Sequence, residues 1–174
     1  MNKLINALGF QVGWWACIAG IGHGFEIEAI AFCVLLIMTH LYFSPRLLQD
    51  IKISVFTLAA GILVDTALQY LSVIQFYGWA LGPLSPFWLW MLWLMFALTL
   101  NASLAFLKNR SLAIPAALGA IFGPLTYYAG ATLGAAQLDF SPFNIAMLAM
   151  AWMFVLPLLV MAAQALSHTQ QDHT

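Results

Sequence analysis

Residues 53–74 read ISVFTLAAGILVDTALQYLSVI, an apolar run of 22 residues with a single charge, Asp65, near its middle. About 20 mainly apolar residues in helical form cross a hydrocarbon core of about 30 Å, so this stretch predicts a membrane span that carries a buried acid. The rest of the chain has the same character. Of its 174 residues, 64% are hydrophobic and 6% charged, against about 25% charged in soluble domains. A water-facing surface needs more charge than this. The 14% aromatic content also excludes a disordered chain, which lacks apolar residues to bury.

Five further apolar runs flank the first, at about 4–20, 27–42, 87–107, 112–135 and 143–166. They are broken by turn-rich segments such as Gly22-His23-Gly24 and Gly82-Pro83-Leu84-Ser85-Pro86. The predicted fold class is therefore all-α: a polytopic membrane protein forming a bundle of six transmembrane helices with short loops. Residues 1–174 form a single transmembrane domain, because six spans of about 20 residues leave no room for a soluble one. Residues 27–42 make a short span, and residues 167–174 a polar tail.

Lys and Arg in short loops set orientation. Lys3 precedes the first span, Arg46 and Lys52 lie between the second and third, and Lys108 and Arg110 between the fourth and fifth. Six spans place all five on one side, so both termini are expected in the cytoplasm. Asp50 and Asp172 fall on that side too, and Glu26, Glu28 and Asp139 on the other. Met1-Asn2-Lys3 followed by an apolar run has the outline of a signal peptide, but Cys17-Ile18-Ala19 is a poor cleavage site, and a retained helix is expected.

An Asp at a helix centre is expensive to insert, about 2.5–3.5 kcal/mol, and marks a functional position by default. No Lys or Arg lies in any span to pair with Asp65. Helical spacing puts Ser54, Gly61, Asp65, Gln69 and Ser72 on one stripe that should face the bundle interior. There the acid is expected to donate a hydrogen bond to a carbonyl or amide. Two roles compete for it: a protonatable group in a transport or catalytic pathway, and interhelical glue. Asp65, Gln69, Gln11 and Asn101 form the candidate intramembrane polar site. For Gln11 and Asn101 the plainer expectation is an interhelical hydrogen bond. Thr99 and Ser103 lie near Asn101, and His40 sits near the inner headgroups.

The fifth run holds Gly119, Gly123, Pro124, Tyr127, Gly130 and Gly134. Gly119 with Gly123, and Gly130 with Gly134, have the G-x-x-x-G spacing that lets helices approach closely. Pro124 frees a carbonyl and is expected to kink the helix. Gly9, Gly13 and Cys17 give a smaller version in the first run, where Gly13-Trp14-Trp15-Ala16 loosely echoes Gly123 and Tyr127-Tyr128-Ala129. Both runs point from inside to outside, so a parallel repeat is conceivable. Trp14, Trp15, Trp79, Trp88 and Trp90 map to the outer half, as an interfacial belt or as the lining of a pocket.

Cys17 and Cys33 read as packing residues. His23, Glu26 and Glu28 read as solvated loop groups, since their spacing matches no metal signature, and no metal or cofactor is expected. P-loop, G-x-G-x-x-G and G-x-S-x-G patterns are absent. With no basic run, nucleic acid is a poor candidate partner. The expected partners are membrane lipids, together with further copies of the chain or other membrane proteins.

Several strings together carry a resemblance: Gly9-Phe10-Gln11-Val12-Gly13-Trp14, Gly61 with Asp65, Pro86-Phe87-Trp88 through Leu92-Trp93 and Phe96-Ala97, and Gly123-Pro124-Leu125-Thr126-Tyr127. The chain resembles a family of small bacterial inner-membrane proteins catalogued as a domain of unknown function. The resemblance implies that localisation and no particular reaction, so whether the chain is an enzyme stays open. Three functions fit these features. One is binding or processing of a lipid or other apolar small molecule within the bilayer. Another is a small proton-coupled transporter. The third is a non-enzymatic accessory or assembly protein.

Overall fold

The computed structural model describes residues 2–168, the last by its backbone alone. Of the expected polar tail, residues 169–174, Asp172 among them, lie outside the described residues. The described chain is all-helical in framework: α1 (Lys3–His23), α2 (Glu26–Tyr42), α3 (Leu47–Tyr70), α4 (Phe87–Leu100), α5 (Ala113–Thr132) and α6 (Pro142–His168). Two three-residue strands, β1 (Ile74–Phe76) and β2 (Ala136–Leu138), and a 3₁₀ turn at Ala105–Asn109 complete it. Among the described helices, α1, α3 and α6 are long and apolar enough to cross a membrane.

Two of the expected spans differ in form. α3 starts at Leu47, and residues 74–76 leave the helix to become β1. α4 stops at Leu100 after 14 residues, a rise of about 21 Å, short of a 30 Å core. The expected continuation to 107 is replaced by turns and the 3₁₀ segment. Polar side chains end α4. Asn101 donates from Nδ2 to Asp50 Oδ1 at 2.8 Å, and the Ser103 N–H and hydroxyl both donate to Asn6 Oδ1. Short polar residues that find such partners compete with helix continuation.

Three helices close in the same way. Phe25 N bonds Gly20 O, Val73 N bonds Leu68 O, and Ala135 N bonds Gly130 O, at 2.7, 3.0 and 2.9 Å. In each closure the preceding residue is left-handed: Gly24 (φ 78°), Ser72 (φ 58°) and Gly134 (φ 87°). This is the Schellman ending. Seven residues before the capped carbonyl stand Gly13, Gly61 and Gly123, and three before it stand Cys17, Asp65 and Tyr127, all buried. After the ending, both α3 and α5 form a strand and then reach an identical Ser-Pro-Phe, at 85–87 and 141–143, which opens α4 and α6. Thus α3–β1–α4 and α5–β2–α6 are two copies of one hairpin. Their strands pair antiparallel about Gln75 and Gln137, and α1–α2 is a shorter third copy without a strand. Of the echo between the first and fifth runs, only the glycines stand at matching places: Gly13 corresponds to Gly123, whereas Tyr127 corresponds to Cys17 and not to Trp14.

The small residues serve this frame. A Cβ on Gly61 would overlap the Trp93 ring, one on Gly123 the Trp152 ring, and one on Gly119 the Trp152 backbone carbonyl. Gly13 meets Met95 in the same way. Gly134 is no packing partner for Gly130, because it is the left-handed ending of α5, while Gly130 lies beside Ile18. Helix α5 runs on through Pro124. Cys17 and Cys33 are fully buried free thiols with sulfurs 3.4 Å apart.

The strand pairing sets the C-terminal ends of α3 and α5 side by side. Trp79 N–H donates to Glu26 at the start of α2, at 2.9 and 3.1 Å to its two oxygens, which brings that end of α2 to the same place. Glu26 is therefore a clamp on the 77–86 loop and not a freely solvated charge. At the opposite end a polar cluster ties together α1, α2, α3, the turn after α4 and α6. His40 Nε2 lies 3.4 Å from Asp50 Oδ2 and its Nδ1 lies 3.4 Å from Asn6 Nδ2. Ser44 donates to Asp50, and Lys108 Nζ donates to Asn101 Oδ1 at 2.6 Å and to Ser167 Oγ at 2.9 Å. All five Lys and Arg residues stand in the segments at this end.

Candidate functional site

The side chain of Asp65 is fully buried. Trp93 Nε1–H donates to its Oδ2 at 2.6 Å and the Tyr127 hydroxyl to its Oδ1 at 2.5 Å. The expectation that Asp65 donates to a carbonyl or amide is replaced by an acid that accepts from two aromatic donors. Burying an acceptor in apolar surroundings is tolerable only when it is paired, and α4 and α5 each supply one partner. The equivalence of the hairpins explains the pairing. Asp65 and Tyr127 occupy matching places on α3 and α5, so the pseudo-twofold relation brings them face to face.

Around this bond the aromatics form a wall. Trp93 and Trp152, each seated on the glycine of its own hairpin, stack with centroids 5.1 Å apart and planes 10° apart. Phe96 packs edge-on against both, and Tyr127 leans on Trp152 and Phe76.

That wall bounds a cavity of about 330 Å³. It runs from Ala135, Ala136 and Phe76 at the strand end, past Trp14, Trp88 and Trp93, to Leu104, Leu107 and Leu118 near the polar cluster. Its lining is almost wholly apolar. Leu118 and Gly130 mark its extent along α5, about 18 Å at helical rise. Phe122, 58% exposed, and the exposed Thr126, one turn on, also line it. The cavity therefore reaches the protein surface along α5. Asp65 is not part of its lining; Trp93 and Tyr127 stand between the carboxyl and the space.

The four candidates for the polar site do not converge. Asp65 is central. Gln69, one turn on and half-buried, accepts from Phe76 N–H at 3.4 Å and so steadies β1. Gln11 is exposed on α1. Asn101 belongs to the polar cluster around Asp50, about 22 Å along α3 from Asp65. The stripe on α3 holds from Ser54 through Gly61 to Asp65 and fails at Ser72, which is exposed where the helix ends. Of the outer tryptophans, Trp14 and Trp88 line the cavity, whereas Trp15 and Trp79 are exposed. Trp93 and Trp152, which complete the wall, are not site candidates on sequence grounds. The repeated Ser-Pro-Phe and the glycine one helix earlier in each hairpin are the signals that find them. Among the described residues no group of His, Cys, Asp or Glu could hold a metal ion.

Comparison with known proteins is sparse. No curated protein and no solved structure matches the chain. A family described as a protein of unknown function matches residues 3–158. Nearly the whole chain, including the three glycine-seated helices, Asp65 and the aromatic wall, lies within that match, and the protein belongs to the DUF2878 family.

Proposed function

We propose that the protein crosses the bacterial inner membrane six times, with both termini in the cytoplasm, and holds one hydrocarbon chain of a bilayer molecule in its aromatic cavity. The observation that carries this reading is the cavity itself: long, almost wholly apolar and reaching the surface along Phe122 and Thr126. In a bilayer that surface meets lipid. At about 30 Å³ per small group, comparable with water's share of the liquid, its volume suits about eleven methylenes.

Charge sets the orientation. All five cations stand in the segments at the end that holds the start of α1 and the Lys108–Ser167 contact, and Lys and Arg near span ends favour the cytoplasm. Asp65 then serves as a structural anchor for the cavity wall. Its separation from the space by Trp93 and Tyr127, and its two donors, speak against a proton-coupling role.

Quenching by lipids brominated on their chains tests the binding. Trp14, Trp88, Trp93 and Trp152 line the space, so a brominated chain inside it should quench them beyond the level given by the exposed Trp15 and Trp79. Thr126→Phe, which fills the mouth, should remove the excess. Equal quenching in the two proteins overturns the reading.

A further inference from the structure

Neither the aromatic cavity nor the polar cluster uses Cys17 on α1 and Cys33 on α2. Both are fully buried, with sulfurs 3.4 Å apart. On its helix Cys17 occupies the place that Asp65 and Tyr127 occupy on α3 and α5. Where α3 seats Trp93 on Gly61, α1 seats the buried Met95 on Gly13. The point where a Cβ on Gly13 would stand is 2.6 Å from Met95 Sδ and 3.5 Å from Cys33 Sγ, which puts those two sulfurs within about 6 Å of each other. Only a glycine admits the thioether there. Three helices, α1, α2 and α4, thus bring three sulfurs to one spot.

The thiols have protein acceptors of their own: Cys33 Sγ reaches Gly13 O at 3.6 Å and Cys17 Sγ reaches Trp88 O at 3.8 Å. Buried cysteines often serve as packing. The third sulfur gives the pair a chemistry that packing does not require. Among the described residues no three of His, Cys, Asp and Glu gather as metal ligands, so an ion here must accept a thioether. Thiolate with thioether suits Cu⁺, whereas Zn²⁺ takes four ligands in a tetrahedron, and only three sulfurs stand here. Charge points the same way. Cu⁺ replaces a single thiol proton, which leaves to water, and the loaded site is neutral, as a dry interior demands.

The required movement is small. With metal–sulfur bonds of about 2.3 Å, as in zinc thiolates, two sulfurs of a trigonal site stand about 4 Å apart, so the cysteine sulfurs need to part by about 0.6 Å. Met95 is unbranched and adaptable. It also borders a second cavity of about 110 Å³, shared with Asn6 and His40 of the polar cluster. That space lets the thioether shift and links the sulfurs to the polar end of the molecule.

We infer that Cys17, Cys33 and Met95 form a binding site for Cu⁺ between α1, α2 and α4, independent of the hydrocarbon-chain reading above. Titration of the reduced full-length protein in detergent micelles with Cu⁺ held by bicinchoninate, under argon, reads stoichiometry and affinity. One Cu⁺ per chain is expected, with an X-ray absorption spectrum of sulfur neighbours alone at about 2.3 Å. Cys17→Ser and Cys33→Ser should each weaken binding by more than about 100-fold, past the range for groups that only support a metal ligand. Met95→Leu should weaken it by about 10-fold; it conserves volume and carries the test where a cysteine variant fails to fold. Cu⁺ should raise the unfolding temperature of the natural protein by mass action and leave that of the cysteine variants unchanged. No Cu⁺ bound by the natural protein, nitrogen or oxygen neighbours in the spectrum, or affinity unchanged in a folded cysteine variant overturns the inference. Affinity unchanged in Met95→Leu overturns it too, because the thioether is then no ligand.

Discussion

The α3–α4 and α5–α6 hairpins share a frame and differ at the positions that face each other. Both carry a glycine under a tryptophan, Gly61 under Trp93 and Gly123 under Trp152. Both end in a left-handed residue followed by a strand, and both reopen on Ser-Pro-Phe. At the matching place above the glycine, however, one has Asp65 and the other Tyr127, joined by a hydrogen bond. At the left-handed position one has Ser72 and the other Gly134. Identical residues at a pseudo-twofold contact would set like against like. The two hairpins instead place an acceptor on one side and a donor on the other, on a frame set by the same steric fits.

The largest expected effect comes from breaking that complementarity. Asp65→Leu leaves the Trp93 N–H and the Tyr127 hydroxyl without an acceptor in a dry interior, at about 1–3 kcal/mol for each orphaned group. A loss of about 3 kcal/mol should appear in unfolding of the purified protein in detergent. Asp65→Asn keeps one acceptor oxygen and should lose roughly half as much. A Leu variant as stable as the parent would show that the bond contributes nothing to the frame.

Next in size are the glycine seats. Gly61→Ala and Gly123→Ala each press a methyl into an indole ring, and overpacking of this kind costs about 1–3 kcal/mol. Equal losses in the two variants, measured by the same unfolding assay, are expected if the hairpins are equivalent in mechanics as well as in geometry. A large loss in one alone would confine the equivalence to shape.

The smallest effect has the opposite sign. Ser72 holds a left-handed conformation that L-residues reach at about 1–2 kcal/mol, part of which glycine's extra chain freedom offsets. Ser72→Gly should therefore stabilise by about 0.5–1 kcal/mol and make the α3 ending like that of α5. The parallel change Gly134→Ser should destabilise by a similar amount.

By itself the sequence determined the properties set by composition and by runs along the chain. Sparse charge and long apolar segments dictate helices in a membrane-like setting, because a backbone without water must bond to itself. The ends of α1, α2 and α6 lie within a few residues of the expected ones, and Asp65 stands out because an unpaired acid is rare in such a run. Where a helix had to stop for a distant partner, the linear pattern misleads: α4 ends at Leu100 because Asn101 and Ser103 find Asp50 and Asn6. The strands leave no mark in the sequence because three residues carry no periodicity and pair only with each other. What only the tertiary structure decided is which side chains meet. Gln11 and Asn101 match Asp65 in polarity yet stand away from it, whereas Trp93, Tyr127 and Trp152, drawn from three helices, close around it. Composition records how many aromatic rings a chain has; the packing of two like hairpins about one axis decides that these rings form a wall, with an acid behind it and an apolar slot in front.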